Sequence, residues 1–331
     1  MRIYPIYVLT LVLALLISVR PYPLFTVLGN LFLTQVLLTD IVKELDPSWS
    51  LHYEVLFYLL FVPVSYFRLP AMPLALGCLV LGVVMRLLLP GQPLVASYAF
   101  GFTFWLAGLW LAEKARALPR RDVPQQHLVG LLLLLVSLFY YNVFDTFFTK
   151  ALAVIGGARL AYGQQLREAL PYATQIEMRD FALLPVAAAM VLIFARVDFP
   201  CRRWVMLAMA GLPAMTFVYL AAHFRDPNMG PWVPATVIYL LGAVLVFTPG
   251  EWGSHWALRV MRSLAQVGSI SYGLYIVHAP LLYFMHRLVP TFAGTDGTYL
   301  VRLVVFFVGS LGLAYWLEKK LQPWVKARLS M

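Results

Sequence analysis

Apolar residues along this chain fall in long blocks separated by short polar joints. Ten blocks have the length of a membrane-crossing helix, about 17–25 residues. They span residues 3–19, 49–67, 71–89, 94–112, 127–144, 181–197, 204–222, 232–248, 270–288 and 298–317. The blocks are too long for strands and carry no period-2 alternation, so the pattern predicts helices throughout. An eleventh stretch, Leu24–Leu38, is shorter and holds Asn30, Thr34 and Gln35. That length suits a re-entrant or interfacial segment. The expected fold is therefore all-α: a polytopic integral membrane protein of about ten spans plus one segment that does not cross, forming one domain over residues 1–331. No internal repeat or appended polar domain interrupts it.

Composition agrees. Of 331 residues, 62% are hydrophobic and 12% are charged, against roughly 45–50% and about 25% in an ordinary soluble domain. The mean hydropathy is +0.80. Too few charges remain to cover a water-facing surface of this size.

The net charge of +10 could suit a nucleic-acid binder, but its distribution argues for membrane orientation and against a nucleic-acid partner. With the N-terminus in the cytoplasm and Leu24–Leu38 not crossing, the basic groups Lys114–Arg121, Arg196–Arg203, Arg259–Arg262 and Lys319–Arg328 all fall on the cytoplasmic side, as the positive-inside rule requires. Both termini are then cytoplasmic. Trp49, Trp110, Trp204, Trp232 and Trp316 stand near block ends, like an aromatic belt. The first block lacks a small-x-small cleavage site after Val19 and reads as a retained span. Cys78 and Cys201 are expected at different depths and unpaired.

Charge inside a span is costly, so Glu54 draws attention. It follows Asp46-Pro47-Ser48-Trp49-Ser50, a helix start, and shares one helical face with Ser50 and Tyr58 at i, i+4 and i+8 spacing. The bland alternative is a buried Glu that fixes helix packing. Ser271, Tyr275 and His278 form a second polar stripe, in which His278 could act as a base or bond a neighbouring helix. His52 reads as an interfacial histidine. No HExxH, GxSxG, P-loop or GxGxxG pattern occurs, so zincin, α/β-hydrolase, ATPase and dinucleotide-binding readings find no support.

Three of these stretches together resemble the membrane acyltransferase-3 family. Arg2-Ile3-x-Pro5-x-Tyr7 is similar to that family's Arg-Ile-x-Pro-x-Tyr helix start. Trp49-Ser50-Leu51-x-x-Glu54 with Phe57-Tyr58 resembles its Trp-Ser-Leu-x-x-Glu helix. Gly268-x-x-Ser271-Tyr272-x-x-Tyr275-x-x-His278-x-Pro280 resembles its late Ser-Tyr-x-x-Tyr-x-x-His helix, and Glu318 before a basic tail fits as well. The resemblance implies a bacterial inner-membrane O-acyltransferase. Such a protein moves an acetyl or similar acyl group from a cytosolic acyl-CoA type donor to a hydroxyl of an extracytoplasmic glycan or lipid-linked sugar, with no resident cofactor. On that reading Glu54 and His278 are catalytic and Arg2 binds donor phosphates. Trp49, Ser50, Tyr53, Tyr58 and Tyr275 contact the acceptor, at an outer mouth. Two upstream family helices, with an Arg…His motif, would precede Met1, so the chain reads as N-terminally shortened relative to the family. The rival expectation is a non-catalytic membrane glycolipid transporter or export-complex partner.

Overall fold

The computed structural model describes residues 3–89, 93–156, 176–223, 225, 232–249, 254–288 and 295–329. These residues are all-helical, with only two isolated bridge pairs outside helices. In chain order the helices are α1 (Tyr4–Ile17), α2 (Leu24–Leu31), α3 (Trp49–Tyr66), α4 (Ala71–Leu88), α5 (Pro93–Ala117), α6 (Gln125–Tyr141), α7 (Val143–Gly156), α8 (Leu184–Phe194), α9 (Arg202–Ala222), α10 (Val233–Phe247), α11 (Ser254–Gly268), α12 (Ser271–Leu288), α13 (Asp296–Trp316) and α14 (Gln322–Leu329). Short 3₁₀ helices precede α3 (Lys43–Ser48) and α8 (Met178–Leu183), and a π turn, Leu317–Leu321, joins α13 to α14.

Every apolar block of the sequence is a helix, but helix lengths differ from block lengths. Three helical stretches are long and apolar enough to cross a membrane: Ala71–Leu88, Leu94–Ala117 and Gly297–Arg328. The number rises to five if the bent pairs α6 with α7 and α11 with α12 each count as one span. Local chemistry explains several shortfalls. Asn142, at φ 54°, ends α6 in the left-handed conformation that Asn tolerates. Before α8, residues 178–183 wind as 3₁₀, leaving eleven residues of α-helix. Prolines sit in the first turns of α1, α8 and α10, where the missing N–H costs nothing.

The fold divides into two compact units. The first gathers both chain ends, up to Phe67 and from Leu264 onward. Its core is one face of α1 (Ile6, Tyr7, Leu11, Ala14) with Val42, Leu45 and Leu51, closed by Ile276 and Val277 of α12 and Ala314 and Leu317. Helices α1 and α12 run parallel, start beside start and end beside end. The Tyr272 hydroxyl donates to the Ile3 carbonyl (3.3 Å), and Arg287 Nη1 donates to the Ile17 carbonyl (2.9 Å) at the far end.

The second unit holds the middle of the chain. Its core joins Leu131, Leu134 and Leu138 of α6 to Val186, Met190 and Ile193 of α8, Met209 and Ala210 of α9, and Tyr239 and Val246 of α10. Helices α6 and α10 are antiparallel and meet backbone to backbone. A Cβ on Gly130 would stand 2.8 Å from the Gly242 carbonyl oxygen, and one on Gly242 would stand 2.9 Å from that of Gly130. Gln126 and His127 bond the Thr248 carbonyl at one end, and Tyr141 bonds Thr236 at the other (2.7 Å). Cys78 and Cys201 are unpaired.

Candidate functional site

The site is built within the first unit, and the stretch between α1 and α3 forms its floor. Helix α2 has eight residues, about 12 Å at 1.5 Å per residue, and it lies back along α1. Tyr7 donates to the Asn30 carbonyl (2.7 Å) and Tyr4 to the Leu31 carbonyl (2.9 Å). Asn30 is fully buried and ties the segment together. Its Nδ2 donates to the Thr26 and Asp40 carbonyls (2.9 and 2.8 Å), and its Oδ1 accepts from the Val42 N–H (3.2 Å). Gln35, also fully buried, donates from Nε2 to the Ser48 carbonyl (3.0 Å). Leu33 and Val36 take positive φ of 57° and 74°, a rare conformation for branched residues. The Val36 N–H answers the Thr39 carbonyl (3.0 Å), and His52 Nδ1 answers the Leu33 carbonyl (2.6 Å). So His52 is a buried tie within this unit.

From this floor α3 leaves beside the first turns of α12, and the two polar stripes meet. The Tyr275 hydroxyl donates to the Pro47 carbonyl (3.0 Å) and stands 2.9 Å from Ser50 Oγ. One turn on, Tyr58 donates to Glu54 Oε1 (3.2 Å). Tyr272 lies within electrostatic reach of Glu54, Tyr7, Glu318 and Tyr275. His278 Nδ1 is 2.7 Å from the Tyr275 carbonyl. A carbonyl only accepts, so Nδ1 carries the proton of the neutral ring and Nε2 is the basic atom. At the start of α12, Glu318 Oε1 accepts from the first-turn N–H of Gly273 (3.0 Å), placing negative charge where the helix dipole favours it. Gly273 admits this approach, since a Cβ there would be 3.1 Å from both Glu318 Cγ and the Ala314 carbonyl.

Of the residues the sequence singles out, Trp49, Ser50, Tyr53, Glu54, Tyr58, Tyr275 and His278 all belong to this unit. Ser50 and Tyr275 touch, as do Glu54 and Tyr58. Tyr53 differs from expectation: it is 2% exposed and packed edge-on against Trp49 and Phe57, a core position. The start of α3 is level with Tyr275, about 6 Å into α12, near the end of the unit where α1 and α12 begin. Arg2 lies outside the described residues. The sequence reading passed over Asn30, Gln35 and Tyr272 as site builders. The available signal was three amide or phenol groups in apolar surroundings, each needing a partner.

An apolar cavity of about 230 Å³ beside α1, lined by Leu9, Leu13, Leu16, Val277, Leu313 and Leu317 among others, is separate from these polar groups. Among the described residues no cluster of three or more His, Cys, Asp or Glu could hold a metal ion. Compared with protein-family models, curated proteins and solved structures, the chain finds no match.

Proposed function

We propose that the chain is a membrane-bound O-acyltransferase of the bacterial cytoplasmic membrane. It would carry an acyl group from a cytosolic acyl-CoA type thioester to a hydroxyl of an extracytoplasmic glycan or lipid-linked sugar. One observation carries the reading. The described parts of the three stretches that resemble the acyltransferase-3 family, at residues 3–7, 49–58 and 268–280, converge in one unit, where Tyr272 bonds Ile3 and Tyr275 bonds Pro47 and Ser50.

The ten-span topology with both ends cytoplasmic belongs to the same proposal. It requires α1 and α12 to cross in one direction and α6 and α10 in opposite directions, which is how each pair is arranged. Helices too short to cross alone would be extended by their flanking turns, and α2 would be re-entrant. Large apolar side chains at the surface, such as Leu16 (75% exposed) and Phe247 (61%), would face lipid. In this topology α1 and α12 begin on the cytoplasmic side. The thioester then arrives from that side and the acceptor hydroxyl reaches in from the other.

In the reaction, the acceptor oxygen attacks the thioester carbonyl while a base removes its proton. The C–O bond forms, the C–S bond breaks, and the thiolate leaves to be protonated as free thiol. His278 Nε2 is the base of this scheme. Glu54, steadied by Tyr58, orients the acceptor hydroxyl, and Ser50 with Tyr275 contacts the sugar. Arg2 would pair with donor phosphates. The decisive test is Glu54→Gln in proteoliposomes supplied with acyl-CoA and acceptor. Thiol release should fall by about a hundred-fold or more with folded protein unchanged. Full activity in a folded Glu54→Gln protein would refute the assignment. No acceptor-dependent thiol release by the parent protein would favour a transporter or export-complex partner instead.

A further inference from the structure

The joint between α10 and α12 holds a helix that the proposed chemistry leaves unused. Helix α11, Ser254–Gly268, contains no acidic residue and carries His255, Arg259 and Arg262. At about 100° per residue, His255, Arg259, Arg262 and Gln266 fall on one stripe, and all four are exposed. Trp256, Val260, Leu264 and Val267 fall on a second stripe, roughly 130° round the helix. Three of these four large apolar side chains are also exposed: Trp256 38%, Leu264 44% and Val267 38%. Ala257, fully buried, and Met261, packed against the core of the second unit, lie on the side of the apolar stripe away from the arginines. Among the described residues no carboxylate pairs with Arg259 or Arg262.

We infer that α11 is an interfacial helix that binds anionic phospholipid headgroups. The apolar stripe enters the acyl boundary of a leaflet, and Arg259 and Arg262 meet lipid phosphates above it. Charge selects this occupant. A protein partner covering the apolar stripe would not need two unpaired arginines beside it, whereas a leaflet supplies hydrocarbon and phosphate at that separation. A tryptophan at the polar–apolar border suits the same depth. The inference rests on the membrane part of the proposed function and is independent of acyl transfer.

The test uses the full chain. Native mass spectrometry of detergent-solubilised protein compares retention of phosphatidylglycerol with that of phosphatidylcholine. Wild-type protein should favour phosphatidylglycerol, and Arg259→Gln/Arg262→Gln should lose about five-fold of that preference per arginine. Arg259→Lys/Arg262→Lys should restore it. In bilayers, a spin label at Leu264→Cys (Cys78→Ala/Cys201→Ser background) should be reached by oxygen, and one at Gln266→Cys by an aqueous nickel chelate. Equal retention of the two lipids, failure of the lysine variant to restore preference, or a Leu264→Cys label open to the nickel reagent would each overturn the proposal. None of these readouts involves a thioester, so failure here and failure of the acyltransferase reading are distinguishable.

Discussion

Both units combine an apolar core with long-range polar ties, but in different proportions. In the unit made from the chain ends, side-chain hydroxyls and amides reach backbone carbonyls far away in sequence: Tyr7 to Asn30, Tyr275 to Pro47, Tyr272 to Ile3. In the middle unit, apolar side chains fill the core and two glycines let α6 and α10 touch along their backbones. Small-residue contacts of the second kind suit an apolar solvent, where packing rather than hydrophobic burial joins helices. Such contacts fix a scaffold and offer no reactive group. Buried polar networks of the first kind are costly unless fully satisfied, and they hold several different groups at one place. The contrast locates candidate chemistry in the terminal unit and leaves the middle unit a supporting role.

The largest expected effect tests that supporting role. Gly242→Leu would drive a side chain into a backbone carbonyl that already stands 2.9 Å from the position of a Cβ. Neither helix backbone can yield cheaply, so the loss should be about 3 kcal/mol or more. The measurement is the yield of monodisperse protein and its thermal midpoint in detergent. Thiol release per folded molecule should stay unchanged. A drop in that specific activity would show that the middle unit shapes the site directly.

A smaller loss should follow from Asn30→Ala in the other unit. The change strips partners from the Val42 N–H and from the Thr26 and Asp40 carbonyls, all near a fully buried position. About 2 kcal/mol is expected. Here specific activity should fall as well, because the segment that Asn30 ties down carries Pro47 and Ser48 up to Ser50. A destabilised variant with full activity per folded molecule would separate the floor from the site.

These contrasts were unevenly legible in the sequence. Helix positions followed from the apolar blocks, because nothing else satisfies a long apolar backbone. The Ser50–Glu54–Tyr58 face followed from i, i+4 spacing, and the bond between Tyr58 and Glu54 agrees. The short stretch with Asn30 and Gln35 stood out by length. What it does was hidden, because its partners lie 4 to 23 residues away and are mostly backbone atoms, which carry no sequence signal. Tyr53 was misjudged for a related reason. An aromatic residue at a helix start suits ligand stacking and core packing equally, and only the neighbours Trp49 and Phe57 decide.

The smallest effect concerns the rim of the terminal unit and shows itself in alkali. Tyr22 donates to Glu44 Oε2 (2.7 Å), and its oxygen accepts from the Lys43 N–H (3.0 Å). Burial raises the Tyr22 hydroxyl above its ordinary value, and the hydrogen bond to the Glu44 carboxylate raises it further. Below the ordinary tyrosine value of about 10, folded and unfolded chains both keep the proton, and this contact contributes fully to stability. As pH climbs past that value the unfolded chain releases its proton first, so the contribution declines and is gone above the raised folded value. Other tyrosines also titrate there, so the useful quantity is the difference between wild type and Tyr22→Phe. The thermal midpoint of the parent should exceed that of Tyr22→Phe at about pH 9, and the gap should narrow by about pH 11. A gap that stays constant across this range would mean that the proton on Tyr22 does not hold the 22–44 contact, and that shape alone closes the rim.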